Sequence, residues 1–138
     1  MKRYEQFPHT ADIGVRVFGK DLKELFANAA FAMFDIIADL EGMTGKTTET
    51  FKVEAADDES LLVAWLDELL YIFYTKQLIF YKFTIDELEG GKLRASAIGR
   101  PIAANRNRLK TEIKAATYSD LKINKIADGY SVEMIFDV

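Results

Sequence analysis

Three carboxylates and one imidazole stand at opposite ends of this sequence. His9 and Asp12 lie in His9-Thr10-Ala11-Asp12-Ile13-Gly14, and Asp137 precedes Val138, which carries the main-chain carboxylate. Hard oxygen donors of this kind suit calcium or magnesium rather than zinc or copper. Asp12 has two uses. It can accept backbone N–H bonds and cap a turn, the use the hexapeptide alone favours, or it can stand free to hold a cation or a partner's base. If the last strand ends beside Asp12, three anions meet at one sheet edge. Two carboxylates about 4 Å apart repel by roughly 1 to 4 kcal/mol at effective dielectric constants of about 80 to 20, so a cation or a basic side chain is expected there. The opposing reading is a solvated Asp137 on a frayed terminus.

The elements that must position these groups follow from periodicity. Tyr4 to Phe7 reads as a short strand stopped by Pro8. Ile13, Val15 and Val17 then alternate with Gly14, Arg16 and Phe18, giving a second strand that starts at Asp12 or Ile13. Asp21 and Glu24 form a capping-box variant. The helix they open carries Leu22, Leu25, Phe26, Ala29, Ala30, Met33, Phe34 and Ile37 at helical spacing and closes near Gly42. A polar turn over 44–49 leads to a strand over 50–55. Asp57-Asp58-Glu59-Ser60 begins a second helix, striped by Leu62, Trp65, Leu66, Leu69 and Phe73. Asp67 and Glu68 interrupt that stripe about 100° apart and read as a solvated helix face, with partner binding second.

The remainder is predicted mostly as strand. Residues 79–88 and 93–98 flank a Gly90-Gly91 hairpin turn. Residues 109–118 alternate Glu112, Lys114 and Ala116 against Ile113, Ala115 and Thr117, which sets Lys114 on the Glu112 side, solvated or paired with that carboxylate. Leu121, Ile123 and Ile126 suggest another strand. After the turn at Ala127-Asp128-Gly129, Tyr130 to Asp137 forms the last strand, with Val132, Met134 and Phe136 on one face. The expected fold is α+β: one domain over 1–138, with two amphipathic helices packed on a largely antiparallel mixed sheet whose edge bears the acidic groups.

Composition narrows the chemistry. The 138 residues are 49% hydrophobic and 29% charged, as in an ordinary globular protein. Without cysteine there is no disulfide, thiolate nucleophile or Cys-based zinc site, and a single histidine excludes multi-His zinc sites. Met1-Lys2-Arg3 runs into polar residues, so no secretory signal is expected, and no apolar run reaches the roughly 20 residues of a membrane span. A cytoplasmic protein without membrane attachment is the expectation. The net charge of -4 provides no overall attraction for DNA or RNA. One dense basic patch remains, Arg100, Arg106, Arg108 and Lys110. It reads as a solvated connection, or more sharply as a contact to phosphate or to an acidic protein surface.

Four blocks in order resemble the archease family: His9-Thr10-Ala11-Asp12-Ile13-Gly14, Trp65-Leu66-Asp67-Glu68-Leu69-Leu70, Ile113-Lys114-Ala115-Ala116-Thr117-Tyr118 and Phe136-Asp137-Val138. Ser119 departs from the histidine expected after that tyrosine. The resemblance implies a non-enzymatic protein cofactor of the RtcB-type RNA ligase of tRNA splicing. Such a cofactor promotes guanylylation of the ligase and its multiple turnover, and broadens its nucleotide triphosphate use. The tRNA exon halves are then met indirectly, through the ligase. The resemblance also implies that Asp12, Asp137 and the Val138 carboxylate hold a divalent cation, calcium foremost with magnesium or manganese as alternatives, and that Lys114 serves ligase activation. His9, Glu112 and Tyr118 are further candidates. Two rivals stand beside this reading. One is a metal-dependent hydrolase or nuclease using Asp12, Asp137 and Glu112, which lacks a second catalytic base. The other is a general RNA-binding or chaperone module built on the basic patch, which lacks aromatic residues within the segment.

Overall fold

Period-2 stretches become strands and 3.6-period stretches become helices in the computed structural model, which describes residues 2–45, 47–117 and 121–138. The order is β1 (Tyr4–His9), β2 (Asp12–Gly19), α1 (Leu22–Ile37), β3 (Thr47–Glu54), α2 (Asp58–Lys76), β4 (Leu78–Glu89), β5 (Lys92–Pro101), two short 3-10 turns (Ile102–Ala104 and Arg106–Arg108), β6 (Ala115–Ala116), β7 (Ile123–Ile126) and β8 (Gly129–Asp137). The α+β class with two helices on antiparallel sheet is as expected. The expected mixed sheet is, among the described residues, two sheets without a parallel pair: β1-β2-β8-β6, with β7 also on β8, and β3-β5-β4. Parallel neighbours need a long crossover within one sheet, whereas β1–β2, β4–β5 and β7–β8 are joined by tight turns.

Local chemistry sets the element ends. Asp21 accepts from the Glu24 N–H at 2.8 Å, and Asp57 accepts from the Ser60 N–H at 2.7 Å, capping both helices. Glu24 reaches back to the N–H of Lys20 at 3.1 Å, one residue before the capping position. Helix α1 ends well before Gly42, because Ala38 turns extended and forms a β-bridge with Leu109. Strand β1 runs through Pro8, which lies opposite Ile13; β1 is a sheet edge, where a missing N–H costs no ladder bond. Strand β3 starts at Thr47, inside the expected polar turn, because it pairs with β5 as far as Gly99. The Gly90-Gly91 turn has φ of +60° and +76°, as a two-residue hairpin requires.

Both sheets share one core. Phe34 of α1 meets Phe73 of α2 and Phe80 and Phe83 of β4, with ring centroids 5.6 to 5.9 Å apart. Trp65 of α2 is fully buried, packs edge-on against Phe51 of β3 at 5.3 Å, and donates its indole N–H to the Phe26 carbonyl at 3.1 Å. One side chain thus joins α2, α1 and the second sheet. Tyr4 donates to Asp35 at 2.6 Å, and the Arg3 guanidinium lies 4.2 Å from the Phe31 ring centre, fastening β1 to α1. No helix of the described residues is long and apolar enough to cross a membrane.

Replacing Trp65 by Phe removes the buried donor and leaves a void. We expect Trp65→Phe to cost on the order of 2 kcal/mol, read as a lower urea midpoint at unchanged m. An unaltered midpoint would show that Trp65 does not join the layers.

Candidate functional site

Strand register brings the two acidic ends of the chain together. Asp12 pairs with His9 across the β1–β2 hairpin. In the β2–β8 ladder Ile13 faces Phe136, so one step outward Asp12 faces Asp137. Across β8, Asp137 pairs with Ala115 of β6. The alternate residues Val15, Val17, Val132, Met134 and Phe136 are fully buried toward the helices. Asp12 and Asp137 therefore lie on the opposite face, with Arg16 and Glu133, which are themselves 3.4 Å apart. The His9 Nδ1 is 3.7 Å from Asp12 Oδ2. Among the described residues no backbone N–H donates to the Asp12 side chain, so the expected turn cap is absent there.

The turn between β1 and β2 is strained. Ala11 has φ of +61°, a left-handed conformation that costs a residue with a Cβ roughly 1 to 2 kcal/mol. That cost sits one residue from Asp12. Beyond it, Gly14 lets the Phe7 ring lie across the sheet, since a Cβ there would stand 2.3 Å from Phe7 Cε2.

The expected regular strand over 109–118 is replaced by an irregular segment with only Ala115–Ala116 in strand. Lys114 N–H donates to the Asp137 carbonyl at 2.7 Å and Thr117 N–H to the Ile135 carbonyl at 3.0 Å. Donors three apart thus meet acceptors two apart, so one extra residue is accommodated as in a bulge. Ile113 and Ala116 are both buried, which the expected alternation forbids. The extra residue lies at Lys114–Ala115; Ala116 beyond it pairs in regular register on the sheet edge, and the Asp67 carboxylate of α2 accepts its outward N–H at 3.1 Å. Asp67 is thus half-buried and structural rather than part of a solvated face, whereas Glu68 is exposed. Burial pushes the Asp67 carboxyl above the usual range, with the Ala116 N–H pulling the other way. Its sequence signal was the polar interruption of an apolar stripe.

Lys114 is held by its main chain beside Asp137 and keeps its side chain exposed. Among the described residues it forms no ion pair, with Glu112 or otherwise. Glu112 instead lines a cleft with Tyr74. Burial, followed by the Glu112 charge, raises the Tyr74 phenol. Among the described residues no three His, Cys, Asp or Glu side chains are grouped to hold a metal. This removes the Asp12, Asp137 and Glu112 triad of a metal-dependent hydrolase. It leaves two facing aspartates whose hard oxygens fit calcium or magnesium, provided that main-chain oxygen or water completes the shell. Val138, 36% exposed, is adjacent to Asp137. Tyr118 and Ser119 lie outside the described residues.

The basic segment is partly structural. Arg100 donates to the Thr44 carbonyl at 2.7 Å, and Arg108 donates to the carbonyls of Asp39 at 3.0 Å and Glu41 at 2.8 Å. These two arginines fasten the loop that follows α1. Arg106 and Lys110 remain exposed.

The chain is matched over residues 4–138 by the model of the archease protein family. It is 41% identical to protein archease of Methanosarcina acetivorans, covering 99% of this chain and 97% of that protein. It is 40% identical to protein archease of Pyrococcus abyssi over the full length of both. The solution structure of Methanobacterium thermoautotrophicum protein 1598 superposes with a TM-score of 0.82 at 34% identity, over 100% of both chains.

A carboxyl raised in the folded state binds its proton more tightly there than in the unfolded chain. Its favourable contribution is full below the unfolded value and is lost as pH rises through the raised one. Asp67→Asn keeps an acceptor for Ala116 and cannot ionise. We expect it to be more stable than the wild type at pH 7, with the advantage shrinking as pH falls toward 4. Asp67→Ala orphans the Ala116 N–H and costs about 1 to 3 kcal/mol at low pH, and less at pH 7, where the wild type has lost part of its own advantage. Denaturant titrations across this range check both, and a pH-independent offset for Asp67→Asn would contradict the assignment.

Proposed function

The chain belongs to the archease family, and from that membership we propose that it is a protein activator of an RtcB-type RNA ligase in tRNA splicing. The chain acts as a cofactor and not as an enzyme: it promotes guanylylation of the ligase, restores its multiple turnover and widens the nucleotide triphosphates it accepts. The observation that supports this reading is the antiparallel register that sets Asp12 opposite Asp137, with Lys114 bonded through its main chain to the same residue. Two facing carboxylates repel across a strand pair, so the arrangement asks for a cation.

Asp12 and Asp137 hold that divalent cation, with the Val138 carboxylate as a main-chain ligand and His9 steadying Asp12 from the neighbouring strand. Calcium is the expected ion, and magnesium or manganese share its preference for oxygen. When bound, the ion supplies a compact positive charge for phosphate oxygens. Lys114 adds a second positive charge on a flexible stem, suited to offsetting phosphate at a partner's nucleotide pocket. The solvent-facing position of the acidic pair lets it dock against the ligase without unfolding any strand. The tRNA exon halves are handled by the ligase, in the cytoplasm.

Two measurements check this. A ligand at about 100 times its dissociation constant stabilises by roughly 2.7 kcal/mol, a shift of several degrees for a chain of this size. Calcium should produce that shift in the wild type and not in Asp137→Asn. In chelator, Asp137→Asn should melt above the wild type, because one of two facing anions is gone. No calcium shift in either protein would remove the cation from the free chain. In ligation with excess substrate, Asp12→Ala and Lys114→Ala should reduce turnover to the level of ligase alone, while single-turnover sealing by pre-guanylylated ligase is unchanged. Wild-type turnover by both variants would sink the proposal.

A further inference from the structure

The basic connection and the end of α2 enclose a cleft of about 280 Å³ that the acidic site does not use. Its apolar base is formed by Ile37, Phe73 and Ile102, each nearly or fully buried. Tyr74 stands in its wall with 40% of its surface exposed. The Tyr74 hydroxyl donates to the Ile113 carbonyl at 2.7 Å, and Phe73 packs edge-on at 4.9 Å, so the ring is fixed from two directions. Arg106 and Lys110 also line the cleft and form no ion pair among the described residues. Glu112 adds one carboxylate acceptor.

An aromatic surface beside two free cations matches how single-stranded nucleotides are held, with the base stacked and the phosphate on basic side chains. The segment 100–110 has no aromatic of its own; folding supplies Tyr74 from α2. We propose that this cleft binds one nucleotide unit, its base against Tyr74, its phosphate on Arg106 and Lys110, and its exocyclic amine donating to Glu112. The volume lies just below the usual range for ligand clefts, a size in keeping with a single base. Tyr71, one helical turn earlier and 60% exposed, offers a second stacking surface outside the cleft for an adjoining residue of a strand. A peptide anchor would use the apolar base equally well, but it would leave the acceptor Glu112 beside its own acidic groups. This inference is independent of the ligase reading: the cleft uses none of Asp12, Lys114 or Asp137.

Amide chemical shifts of the full chain test it in four arms: a nucleoside 5′-monophosphate, a 5′-phosphorylated hexaribonucleotide, inorganic phosphate, and an acidic peptide containing one leucine. The proposal expects shifts at 73–77 and 106–112 with the mononucleotide, and tighter binding of the hexamer if a strand end is the source. Equal affinity for the two would make a free nucleotide the source. Arg106→Ala with Lys110→Ala should weaken hexamer binding at least tenfold and flatten its logarithmic salt slope by about 1.4. Tyr74→Leu should weaken it roughly 5- to 150-fold, while Tyr74→Phe, which keeps the ring, should bind within twofold of the wild type. Both cations are exposed, so that variant tests the proposal even if Tyr74→Leu does not fold. Shifts with phosphate equal to those with the mononucleotide, shifts with the peptide alone, or hexamer binding indifferent to all variants would overturn it.

Discussion

The pairing of β8 with β2 is the constraint on which the rest of the structure depends. It joins residues more than 120 positions apart, as Ile13 and Phe136 do. Closing a loop of that length costs about 5 kcal/mol of chain entropy. Five fully buried side chains from the two strands, Val15, Val17, Val132, Met134 and Phe136, return about 1.5 to 3 kcal/mol each. Burial wins, and it also fixes the register. A slip of one residue by β8 would turn Asp137 into the core and expose Val132, Met134 and Phe136. The geometry of the acidic end is therefore set by hydrophobic packing on the other face of the sheet.

Against that firm frame, the sheet end carries several local costs. The register places Asp12 and Asp137 one step beyond the last pair of the ladder, Ala11 holds a left-handed backbone, and an extra residue at Lys114–Ala115 breaks the alternation where β6 begins. Each is unfavourable locally, and all lie within a few residues of one another in space. Asp67 belongs to the supporting side of this arrangement. By accepting the Ala116 N–H, it satisfies a donor on the free edge of β6 and ties that edge to α2.

Periodicity made much of this legible in the sequence. Both helices, their aspartate caps, the glycine hairpin and the apolar face of β8 follow from residue spacing. The donor chemistry of Asp12 and Asp137 was equally plain, but their meeting was conditional on a register that no local signal reports. The failures share one physical cause: the deciding partner is a main-chain group distant in sequence. Asp67 looked solvated because its acceptor role depends on an N–H 49 residues away. Arg100 and Arg108 looked like a free basic patch because the carbonyls they satisfy lie 56 to 69 residues earlier. Helix α1 appeared to run on toward Gly42 because the bridge between Ala38 and Leu109 is invisible to any local window.

The central position of β8 also bears on how the chain is made. During synthesis β2 emerges early, and its inner edge has no partner until β8 leaves the ribosome. At about 5 to 20 residues per second that interval is roughly 6 to 25 s, far longer than the microseconds in which the β1–β2 hairpin closes. Pro8 guards only the outer strand of that hairpin. For those seconds the nascent chain presents Ile13, Val15 and Val17 along an open edge, which makes the delay between first and last strand the point at which crowding polysomes and cellular chaperones meet this fold.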